Sequence, residues 1–235
     1  MNHLLLFDVD GTLISARGAG KRAMRRALLE VYGHIGPIDV YDFHGKTDPQ
    51  IMKALLNAAG VSPVTINQHR STFFSRYVEL LREEIGDGQQ VRVFPGVRYL
   101  LDELVRVSTV TLGLLTGNIE EGARTKLAPT GLWEVFRVGA FGSDDPDRNR
   151  LPAIAVHRAE ALLEKRFPPE RVVIIGDTPL DIRCARAHGT RAVAIATGRH
   201  TFAELATYRP DHLFSDLTQT GQVMSCILNG SQGHP

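Results

Sequence analysis

The sequence predicts an α/β fold: a doubly wound parallel sheet, interrupted after its first strand by an all-helical insert. Three observations predict it. Apolar runs at Leu4–Phe7, Val110–Leu115, Arg171–Ile175 and Ala192–Ala196 are separated by helical patterns, the alternation that builds parallel sheets. Each run stops at a polar or glycine signal, at Asp8, Thr116, Asp177 and Thr197. Between about Ser15 and Arg92 no strand-like alternation appears, and only helical spacing remains.

The elements follow in order. Leu4-Leu5-Leu6-Phe7 is apolar on both faces, as a buried parallel strand requires. Ala23, Met24, Ala27, Leu28 and Val31 then recur at helical spacing. Ile51, Leu55 and Leu56 do so again, and Phe73, Phe74, Tyr77, Leu80 and Leu81 a third time. Gly33, Gly60 with Pro63, and Gly86-Asp87-Gly88 punctuate these helices. The two ends of the insert must lie close together if the core closes around it, which makes them candidate hinges. Pro95 suits a helix start, with Leu100, Leu101, Leu104 and Val105 as its apolar stripe.

The strand Val110–Leu115 leads to a helix from about Glu120 to Leu127 that stops before Pro129. A strand within Val135–Phe141 precedes the acidic loop Ser143–Asp147, whose Asp144, Asp145 and Asp147 read as solvated. A helix spans about Pro152 to Lys165, and another Leu180–His188, closed by Gly189. Leu213-Phe214 reads as a short edge strand. The small, polar tail Asn229–Pro235 is expected to be disordered.

The composition is that of an ordinary globular protein, with 43% hydrophobic and 23% charged residues in 235. A net charge of +1 supplies no global field for nucleic acid or membrane, so neither is an expected partner. The basic set Lys21, Arg22, Arg25 and Arg26 lacks an aromatic stacking platform and reads as a solvated helix face. Cys184 and Cys226 have no metal-like spacing and read as free thiols. No signal peptide or membrane-length apolar run is seen, so a cytoplasmic protein is expected, as monomer or homodimer. Gly18-Ala19-Gly20-Lys21-Arg22 lacks the first glycine and the hydroxyl of a P-loop.

Chemistry concentrates at the strand ends, which share one edge of such a sheet. Asp8 and Asp10 lie two residues apart before Gly11. Two such acids in a buried setting repel and raise a pKa. A hard cation such as Mg²⁺, which prefers carboxylates plus substrate phosphate, would relieve that repulsion. Thr116-Gly117-Asn118 places a hydroxyl and backbone N–H groups at a strand-to-helix turn, a form of phosphate cradle. Asp177 and Asp181 stand one helical turn apart near a helix N-terminus.

Asp8-Val9-Asp10-Gly11-Thr12 resembles the phosphatase signature of the haloacid dehalogenase superfamily. Gly176-Asp177-Thr178-Pro179-Leu180-Asp181 resembles its acidic metal motif. Phe94-Pro95-Gly96-Val97 and the order of motifs resemble the phosphoglycolate phosphatase-like branch. The resemblance spans nearly the whole chain. It implies a Rossmann-like core at 1–14 and 93–235, with a helical cap domain at 15–92. It further implies a Mg²⁺-dependent phosphatase acting on a small phosphorylated metabolite. In that reading Asp8 is the nucleophile that becomes an aspartyl phosphate, and Asp10 the general acid and base. Thr116 holds the transferring phosphoryl group with Gly117 and Asn118 beside it. Asp8, Asp10, Asp177 and Asp181 form the metal site, Asp181 either as a ligand or by orienting the others through a water.

The sequence departs from the family pattern where a lysine normally neutralises the nucleophile. The segment here is Asp147-Arg148-Asn149-Arg150-Leu151-Pro152. Counting back from the following helix puts Arg150 in the best register, with Arg148 the alternative; arginine is a competent phosphate clamp. Within the insert, Gly45-Lys46-Thr47-Asp48 is the candidate specificity loop. There Lys46 is available to an anionic group of the substrate, or the segment is a turn whose Thr47 or Asp48 caps a helix.

Other readings differ in their needs. A haloalkanoate dehalogenase uses no metal and would not retain Asp10. An ion-pump ATPase has lysine after its nucleophile and threonine for the second acid. A phosphosugar mutase uses the same two aspartates and stays open. A receiver-like phosphate-binding module leaves the helical insert unexplained.

Overall fold

The computed structural model describes residues 2–229, so the tail expected to be disordered beyond Asn229 lies outside the described residues. Six parallel strands form the sheet, in the order β5-β4-β1-β6-β7-β8. They are β1 (His3–Phe7), β4 (Val110–Thr116), β5 (Val138–Phe141), β6 (Val172–Gly176), β7 (Arg191–Ile195) and β8 (His212–Phe214). The chain winds outward from β1 through β4 to β5, then returns to β6 on the other side. The carboxyl ends of β1, β4 and β6 therefore meet at a topological switch point, where sheets of this kind form their ligand crevice.

The apolar composition of the strands explains their central position. Leu4, Leu5, Leu6 and Phe7 have no exposed surface. Leu5 and Phe7 pack into one apolar layer with Leu112, Leu114, Val173 and Ile175. Leu4 and Leu6 pack into the opposite layer with Val172, Ile174, Leu151 and Ala155. The helices α4 (Val97–Val105), α5 (Glu120–Leu127), α6 (Leu151–Leu163), α7 (Pro179–Ala187), α8 (Phe202–Thr207) and α9 (Thr220–Asn229) flank the core strands in sequence. Gly189 takes the left-handed conformation (φ 70°) just past α7, where a helix stop was expected.

The insert consists of α1 (Ala19–Tyr32), α2 (Asp48–Ala58) and α3 (Pro63–Ile85). Met24, Leu28, Leu55, Phe73, Tyr77 and Leu81 belong to a second apolar cluster, which Ile119 of the core joins. Its basic face is paired: Arg22 with Glu84 at 2.7 Å, Arg25 with Asp39 at 2.6 Å, and Arg26 with Glu83 at 2.8 Å. The two crossings between insert and sheet pair as a short antiparallel ribbon, β2 (Ile14–Ser15) against β3 (Arg92–Val93). Two-residue strands carry no alternation to read, which is why neither was visible in the sequence. Among the described residues no helix is long and apolar enough to cross a membrane.

Candidate active site

Asp8 follows β1 and is buried, and its backbone N–H donates to the Ile175 carbonyl at 2.9 Å. Three residues on, the chain must turn back sharply. Gly11 permits this at φ 92°, and a Cβ there would stand 2.3 Å from Asp177 Oδ2. Thr12 uses the turn to donate its hydroxyl to Asp177 Oδ1 at 3.0 Å.

Asp177 and Asp181 arrive from β6 and the first turn of α7. Asp181 is locked by a reciprocal cap: Thr178 N–H donates to Asp181 Oδ2 at 3.0 Å, and Asp181 N–H donates to Thr178 Oγ1 at 3.3 Å. Asp8, Asp177 and Asp181 each offer a carboxylate oxygen within 4.8 Å of the others, and all three are buried. Burial pushes the Asp8 carboxyl up to about 6, with Arg148 opposing and Asp181 reinforcing the shift. Burial, then the charges of Asp8 and Asp181, raise Asp177 well above the ordinary carboxylate range. Three crowded acids with one guanidinium leave excess negative charge. Such an oxygen donor set fits a hard divalent cation.

The guanidinium belongs to Arg148. Its Nη2 lies 3.3 Å from Asp8 Oδ1 and also donates to Asp181 Oδ1, and its Nη1 donates to the Gly45 carbonyl at 3.2 Å. Burial disfavours its charged form, but Asp181 and Asp8 outweigh that and raise its pKa. Its Nε is buried and has no hydrogen-bond partner among the described residues.

Arg150, placed in the best register by the sequence, is not in the cluster. Its side chain is 72% exposed, against 6% for Arg148, and faces Asp145 at 3.4 Å. The cause is a 3₁₀ turn over Arg148–Arg150 ahead of α6. Each residue there rotates by about 120°, so positions two apart point in different directions. In the acidic loop, read as solvated, the Asp144 side chain is 17% exposed and held. Asp144 accepts the Phe141 N–H at 2.9 Å and pairs with Arg158 at 2.7 Å.

Asp10 also departs from expectation. Its side chain is not among the clustered metal-ligand carboxylates. It is 42% exposed, and its Oδ2 accepts from Lys126 Nζ at 2.6 Å and Asn118 Nδ2 at 2.8 Å. Thr116 is fully buried at the end of β4, and its Oγ1 accepts from Asn118 Nδ2 at 2.8 Å. Gly117 lies directly under the insert; a Cβ there would stand 2.1 Å from the Lys46 carbonyl oxygen.

The insert docks on the core through the expected specificity loop. Asp48 N–H donates to the Gly117 carbonyl at 2.7 Å, and Asp48 Oδ2 accepts the Ile119 N–H at the start of α5 at 2.9 Å. Thr47 Oγ1 donates to the Pro146 carbonyl at 2.8 Å and accepts from Gln50 N–H as the cap of α2. Lys46 Nζ donates to the Asp42 carbonyl at 2.7 Å and sits 4.2 Å from the Tyr41 ring centre. Asp8, Asp10, Lys46, Thr116, Lys126 and Arg148 all line one cavity of about 470 Å³ between insert and core.

Lys126 and the carboxylate of Asp48 were missed as site residues. Lys126 had a readable signal, because it follows Ala123 by three positions on the buried stripe of α5. A lysine on an apolar face needs a partner. Asp48 gave no such signal, since it caps a helix 71 residues away rather than its own.

The sequence pattern of the haloacid dehalogenase-like hydrolases matches residues 5–195. A phosphoglycolate phosphatase of Synechococcus elongatus is 28% identical over 221 residues, covering 92% of this chain and 95% of the relative. Tyrosine-protein kinase PtkA of Mycobacterium tuberculosis is 32% identical over 200 residues, covering 83% of this chain and 62% of the relative. The crystal structure of CbbY from Rhodobacter sphaeroides in complex with phosphate superposes with a TM-score of 0.72. It is 21% identical and covers 94% of this chain and 97% of the other, a likeness of fold. With its strand order, its Asp8 turn and a match over most of its length, the chain belongs to the haloacid dehalogenase-like hydrolase family.

Proposed function

We propose that this chain hydrolyses a small phosphomonoester through an aspartyl phosphate formed on Asp8. The single observation that carries the reading is the pairing of two unlike carboxylates beside one cavity. Asp8 is buried, touching Arg148, and Asp10 is half-exposed with one oxygen held. That the protein is a phosphatase of its family agrees with the Synechococcus elongatus relative that covers nearly its whole length.

In the first step an oxygen of Asp8 attacks phosphorus and the bond from phosphorus to the leaving oxygen breaks. Asp10 gives its proton to that oxygen, and the alcohol departs. In the second step water attacks the aspartyl phosphate and gives a proton to Asp10. The bond from phosphorus to Asp8 breaks, so orthophosphate leaves and both acids are restored. Thr116 and Arg148 hold phosphoryl oxygens as charge spreads over them. The place of Arg148 on the cavity wall, with Nη2 3.3 Å from Asp8 Oδ1, supports that role. Asp8, Asp177 and Asp181 would hold Mg²⁺, which when bound neutralises charge on the transferring group.

Residues 15–92 act as the cap that covers the site and excludes water, and 1–14 with 93–235 as the catalytic core. A reducing cytoplasm suits Cys184 and Cys226, both free thiols. The test is orthophosphate release from a panel of small phosphomonoesters, phosphoglycolate included, with Mg²⁺ and with EDTA. Metal-dependent release that Asp8→Asn abolishes is expected. No release by the folded protein from any member would overturn the reading and direct the search to sugar-phosphate isomer exchange.

A further inference from the structure

Lys126 occupies a position that the phosphatase chemistry does not itself require. It rises from α5, its side chain is 6% exposed, and its ammonium lies 2.6 Å from both Asp10 Oδ2 and Asn118 Oδ1. An ammonium only donates, so the atom of Asn118 that faces it must be the carbonyl oxygen. That fixes the amide. Its nitrogen must point the other way, and it donates to Asp10 Oδ2 and Thr116 Oγ1, each at 2.8 Å.

Two consequences reach the reaction. Asp10 Oδ2 receives two donors, while no described residue donates to Oδ1. Oδ1 is thus the oxygen left to carry a proton to and from substrate. Thr116 Oγ1 receives a donor from Asn118, so its own hydrogen is left to donate outward to a phosphoryl oxygen. One buried lysine sets the polarity of three side chains. We infer that Lys126 is a positioning residue, which aims the proton-carrying oxygen of Asp10 at the leaving oxygen. This inference rests on the phosphatase reading.

The test uses leaving groups that differ in their need for a proton. An alkyl phosphate needs an acid to expel its alkoxide, whereas p-nitrophenyl phosphate expels a stable phenolate without one. Lys126→Met should lower kcat roughly tenfold or more on the alkyl phosphate that the wild type turns over fastest, a part of the roughly 10²–10⁴-fold that a general acid supplies. KM should stay within about threefold, because the change removes no substrate contact. The pre-steady-state burst of p-nitrophenolate should also stay within about threefold, since that step asks no proton of Asp10.

Equal losses on both substrates, or an unchanged alkyl rate, would overturn the inference. If Lys126→Met does not fold, Lys126→Arg and Lys126→Gln decide it. The charged variant should retain more alkyl phosphate turnover, and equal rates would refute the role. A wild type that releases nothing from either substrate would instead overturn the phosphatase reading, and the inference with it.

Discussion

Replacing Asp48 by Asn should make the protein's stability less dependent on pH, by an amount that follows from burial. Asp48 belongs to the insert, yet its carboxylate is buried against the core and caps α5 through Ile119 N–H. Burial pushes its carboxyl from 3.8 up to about 6; the positive charge of Lys126 opposes the shift without cancelling it. Two pKa units correspond to about 3 kcal/mol. The folded state holds the proton more tightly than the unfolded state, so between about pH 4 and pH 6 it binds more protons. Stability from this group is present below pH 4 and is lost as pH rises through 6.

Asn keeps the shape and an acceptor for Ile119 N–H but cannot ionise. Denaturant unfolding of both proteins at intervals from pH 4 to pH 7 isolates the effect, because Asp8 and Asp177 are common to both. The difference in unfolding free energy, wild type minus variant, should fall by about 3 kcal/mol across that range. Parallel curves would refute the argument and show that water reaches Asp48 in the folded protein.

Further predictions concern the site. Arg148→Ala should cost about 10²-fold or more in kcat, as loss of a donor to developing charge does, and Arg150→Ala less than about threefold, consistent with its exposed pair; the reverse order of rates would return the role to Arg150. Asp177→Asn should raise the metal-free melting temperature, because it removes a charge from a crowded acidic cluster, and should abolish the rise that Mg²⁺ gives the wild type; an unchanged Mg²⁺ response would exclude Asp177 as a ligand. Gly117→Ala should lower activity more than stability, since its Cβ would displace the Lys46 carbonyl and the loop docked there; full activity would mean that this contact is not needed for turnover.

How much of this was legible in the sequence depended on the length of the signal. Leu4–Phe7 and the run ending at Ile175 were readable because burial on both faces demands unbroken apolar character. The convergence of Asp8, Thr116 and Asp177 followed from topology once those strands were placed. The choice between Arg148 and Arg150 was not readable, because sequence distance from a helix does not report direction across a 3₁₀ turn. The role of Lys126 was half-readable, as a charge on a buried stripe whose partners lie on other elements. The helix Thr220–Asn229 buries Val223 and Ile227, one pair four apart, too short a pattern to stand out.

The ribbon of Ile14–Ser15 against Arg92–Val93 has a bearing on how such a protein can vary. The chain leaves the sheet and returns to it through one clasp, so the sheet meets the same two anchoring points whatever lies between them. Closing a longer excursion costs little, about 0.6 kcal/mol for each doubling of length. Whole helices can therefore be added, lost or exchanged beyond the clasp without disturbing the register of a central strand. A lineage can remodel what its enzyme admits while the groups that handle phosphorus stay fixed.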